Sequence, residues 1–148
     1  MNISMLRVLF ILIIIPFKAL ALIEVDITRG NLNPLPIAVS PLSIDEKSRK
    51  KFEEIIKKKN IGSEISIVVE QNLKTSGLFN PLNKDAFLQA PDIANLKPRF
   101  EDWNLIKAQA LITGKVNFVD DKLRVEFRLW DVLAGKEMMA LAFTTVPN

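Results

Sequence analysis

From Leu123 to Leu129 the chain alternates, with Leu123, Val125, Phe127 and Leu129 apolar and Arg124, Glu126 and Arg128 charged between them. A period of two marks a strand with one face on a core and the other in water. The same register carries Trp130 onto the wet face and Asp131 onto the oily one. Either a bulge at the strand's end turns the indole inward and leaves Asp131 in the turn, or Trp130 and Val132 form a surface meant to be covered by a helix or domain that follows. Residues 108–119 before it and 137–146 after it also read as strands. Turns at Asp120-Asp121-Lys122 and Ala134-Gly135-Lys136 join the three into a meander. Two shorter apolar runs precede the meander: Leu35–Leu42, closed by Pro41, and Leu78–Leu82, interrupted by Pro81.

Helical spacing fills the remainder. Ser43-Ile44-Asp45-Glu46 has the form of a capping box, and Phe52, Ile55, Ile56 and Lys59 follow at helical intervals up to a C-cap at Asn60-Ile61-Gly62. Ser63 opens a second helix, with Ile65, Val68, Val69, Asn72 and Leu73 on one face and Gly77 just past its end. Gln89–Pro98 reads as a loop with two prolines. Arg99–Lys107 reads as a short helix with Phe100, Trp103 and Ile106 on one side. The expected class is α/β (α+β): a mixed sheet ending in an antiparallel meander, with two or three helices packed on one face.

The amino terminus follows a different rule. One early cation, Arg7, precedes an apolar run from Val8 to Phe17 and then Ala19-Leu20-Ala21, the layout of a secretory signal peptide cleaved near Ala21. A spanning helix needs about 20 apolar residues, so no stable membrane span is expected. Residues 22–34 then read as an arm and linker, and 35–148 as the folded domain. In the arm Leu22, Ile23, Val25 and Ile27 are apolar, while Glu24, Asp26 and Thr28 are polar. Such a segment can add a strand to a partner's sheet edge or pair with the protein's own sheet; alternation alone does not separate the two. Asn33-Pro34-Leu35-Pro36 is a stiff, extended connector.

Composition narrows the chemistry. The 148 residues contain no Cys, no His and no Tyr. That removes disulfides, thiolate metal sites and the usual general base, so no enzyme, metal or cofactor is expected. The formal net charge of +3 falls to +1 without residues 1–21, which hold Arg7 and Lys18 and no acids; nucleic acid is not an expected partner. Residues 46–60 carry seven cations against three acids. They are read as a solvated helix face, with a basic surface for anionic membrane as the rival. Asp120 and Asp121, adjacent in a turn, are turn formers rather than a catalytic pair.

Four stretches in order, IEVDITRGNLNPLPIAVSPL (23–42), NLKTSGLFNPLNKDAF (72–87), WNLIKAQALITGKV (103–116) and LRVEFRLWDVLAGKEM (123–138), resemble the amino-terminal domain of the TolB family. The resemblance implies a periplasmic protein–protein interaction component of the Tol–Pal system, serving envelope integrity and cell division. It also implies a TolA-like inner-membrane partner bound through the arm, residues 22–30. The family continues into a helix and a six-bladed β-propeller that carries the Pal site. This sequence stops at Asn148, so Pal is not an expected partner, and a truncated remnant without Tol function is the alternative.

Overall fold

In the computed structural model, residues 33–57 and 60–146 are described, and they fall within one compact unit, Leu32–Asn148. Strand β1 (Leu35–Val39) ends before Pro41. Helix α1 begins at Glu46–Lys51 and widens into a π turn over Phe52–Ile56. Helix α2 (Ile61–Thr75) leads to the short strand β2 (Phe79–Pro81). Two short helices follow, α3 (Pro91–Leu96) and α4 (Phe100–Leu105). Strands β3 (Ala110–Val119), β4 (Lys122–Asp131) and β5 (Lys136–Thr145) close the chain.

The sheet order is β2-β1-β3-β4-β5. Strand β1 runs parallel to both β2 and β3, while β3, β4 and β5 form the antiparallel meander expected from the sequence. The mixed α+β class stands as read. Helices α1 and α2 cover one face. Phe52 from α1 and Ile61 and Ile65 from α2 meet Leu42, Val116, Phe118 and Val125 there. The register Ala38, Leu111, Trp130 defines the second face. A second core forms on it from Ala38, Trp103, Ala108, Leu111 and Val132, with Phe87 and Ile106 packed against it.

Several local expectations are corrected. The cap of α1 is Asp45 rather than Ser43: its carboxylate accepts from Ser48 N at 2.8 Å and Ser48 Oγ at 2.9 Å. Glu46 is then the first helical residue, two positions short of the third-residue place that a capping box requires. Helix α1 turns out of its path at Lys57, which has left-handed φ 56. Gly62 caps nothing and lies buried in the first turn of α2. A Cβ there would stand 2.2 Å from the Leu42 carbonyl oxygen, so the site demands glycine for close approach. Gly77 does follow the end of α2, at φ 72.

The inward stripe of α2 has Gly62 and Ser66 buried and Ile65, Val69 and Leu73 half-buried, while Val68 and Asn72 are exposed. In α1 Ser48 and Phe52 are buried and Ile55 is exposed. Ser48 Oγ also accepts from Phe118 N at 2.9 Å, tying the helix to β3. The stretch 89–98, expected as loop, contains α3 with Pro91 at its first turn, a position where a missing N–H costs nothing.

Candidate partner-binding surface

The arm residues Leu22, Ile23, Glu24, Val25, Asp26, Ile27 and Thr28 lie outside the described residues, as does Lys58-Lys59. What the structure does describe is an open end of the sheet. Strand β5 is the last in the order, and all ten of its residues are exposed. Helix α2 lies over the β1–β3 side, which leaves Phe127 and Leu129 of β4 half-covered. Between Val69 of α2 and the row Ile112, Phe127, Leu129, Met139 and Leu141 runs an apolar groove of about 230 Å3. Phe127 meets Phe143 edge-on, ring centroids 6.4 Å apart.

A register shift falls between Leu129 and Trp130, as one of the two readings placed it, but β5 carries the extra residue. Leu129 opposes Met139 and Trp130 opposes Glu137, so Met138 is left over. Pairing of β4 with β3 is unbroken from Asp131 to Lys122. Trp130 is therefore not turned over. It stays on the second face beside Leu111, donates from Nε1 to Thr113 Oγ1 at 2.9 Å, and meets Phe100 with ring centroids 5.8 Å apart. The face called wet by alternation is dry at this end, because α4 and the segment before it cover it.

Its other half is polar. Arg124 Nε donates to Glu126 at 2.8 Å, and Lys115 Nζ lies 3.3 Å from the same carboxylate. The Arg124 hydrogen bond, with the Lys115 contact and against partial burial, holds Glu126 below the usual carboxylate range. Arg128 faces Glu137 at 3.8 Å. On α1, Lys51 pairs with Asp121 and lies 4.9 Å above the Phe118 ring centroid. The Lys51 hydrogen bond lowers the Asp121 pKa. Lys47 and Lys50 share their surface with Glu46 and Glu54, which weakens any single-sign field there.

Asp120 and Asp121 occupy the β3–β4 turn with φ 48 and 60, the double left-handed geometry of a tight hairpin. Among the described residues no cluster of three metal-ligating side chains is found. No described helix is long and apolar enough to cross a membrane. The apolar row of β5 was missed in the sequence. Its signal was there in the alternation of Met139, Leu141 and Phe143 with Ala140, Ala142 and Thr144.

Comparison with known proteins agrees with this architecture. Residues 23–138 match the TolB amino-terminal domain family. The Tol-Pal system protein TolB of Pelagibacter ubique is 81% identical over 145 residues, covering 97% of this chain and 32% of that protein. The chain thus spans about one third of that relative's length. The crystal structure of TolB from Acinetobacter baumannii superposes with a TM-score of 0.53 at 20% identity, covering 77% of this chain and 23% of that one. The LpoB C-terminal domain from Escherichia coli gives 0.54 at 10% identity, covering 80% and 87%. At such identities the two structures speak for the fold alone. Family match and high identity together establish that the chain belongs to the TolB family, through that family's amino-terminal domain.

Proposed function

We propose that this protein is a periplasmic interaction component of the Tol–Pal system, exported by residues 1–21 and bound to a TolA-type partner through its arm. Residues 22–34 serve as arm and linker and 35–148 as the domain that presents them. The observation that carries the reading, beside family membership, is the alternation of Ile23, Val25 and Ile27 with Glu24 and Asp26. The arm's backbone N–H and C=O groups would complete a partner's open sheet edge, and its apolar row would fill one face of that sheet. Its two carboxylates would favour a basic partner surface and speed encounter at low salt. The Pro34 and Pro36 connector would hold the arm away from the domain. The work is linkage between envelope proteins in support of envelope integrity and division, with no bond made or broken.

Titration of the purified protein against the TolA periplasmic domain tests this. Binding is expected, and Val25→Asp with Ile27→Asp should weaken it about tenfold or more, the scale of losing buried anchors, without altering circular dichroism. A folded protein that binds no TolA domain, or binds it equally well with both substitutions, would refute the arm's role.

A further inference from the structure

We draw no further inference here: the strongest candidate, the polar cleft of about 270 Å3 where the loop after β1 meets Arg49 of α1, Asn60 and Ser63 at the start of α2 and Asp92 of α3, rests on the amino terminus of α2, and no second observation in the structure points to a ligand there.

Discussion

Asp45 ties charge to local structure at a single residue. Its carboxylate accepts from the Ser48 backbone and hydroxyl, and although partial burial opposes them, these bonds hold its pKa below 3.8. Glu126 is likewise held below 4.5. A carboxyl depressed in the fold binds fewer protons than in the unfolded chain, so its contribution is complete above the ordinary value and is lost as pH falls through the folded one. Urea midpoints should thus be flat in pH above the usual carboxylate range and fall on its acid side. Asp45→Ala should cost about 1 kcal/mol, the usual worth of an N-cap. Asp45→Asn, still able to cap, should instead flatten part of the acid limb. The Trp130–Thr113 bond offers a second residue-scale test. Thr113 is buried, and Thr113→Val removes the acceptor of the indole N–H, expected to cost about 1–3 kcal/mol. Adding Trp130→Phe should recover part of that loss in denaturant titration, because the stranded donor goes with it.

Among the elements, long periodic segments were legible and short ones were not. The β3–β5 meander announced itself through alternation and turn residues, and α2 through its apolar spacing and Gly77. The stripe of α2 was read too wide: Ile65, Val69 and Leu73 face the domain as expected, but Val68 and Asn72 are exposed, because burial is decided by the sheet beneath the helix rather than by apolarity along it. The start of α1 was misread because two acceptors, Ser43 and Asp45, both fit a cap. The structure chooses Asp45 because Ser48, its partner, must also receive Phe118 N from β3. Gly62 shows such contacts becoming a requirement of the helix. Gly62→Ala would press a Cβ onto the Leu42 carbonyl, and Leu42 N itself donates to the Gly62 carbonyl at 3.2 Å. Neither backbone can yield without shifting α2, so a loss of about 1–3 kcal/mol is expected, read as a lowered melting temperature. Helix α3 escaped notice because at six residues it lacks the turns over which a helical period shows.

At the scale of the whole molecule, stability should grade from the centre of the sheet outward. Strands β1 and β3 are paired on both sides, whereas β2 and β5 are edges. Amide exchange should therefore be slowest around Ala38, Leu111 and Val116, the fully buried positions of those strands, and fastest in β2 and β5. The sequence by itself determined the alternation of β4, the three-strand meander with its hairpin turns at Asp120-Asp121 and Gly135, the long second helix and the chain's family, since all of these are written in neighbouring residues. Only the tertiary structure decided that β1 lies between β2 and β3, that α4 dries the Trp130 end of the second face, and that β5 is the last strand among the described residues. Period two tells which residues share a face of a strand; which stretch of that face is covered depends on elements brought from distant parts of the chain, and local alternation holds no record of them.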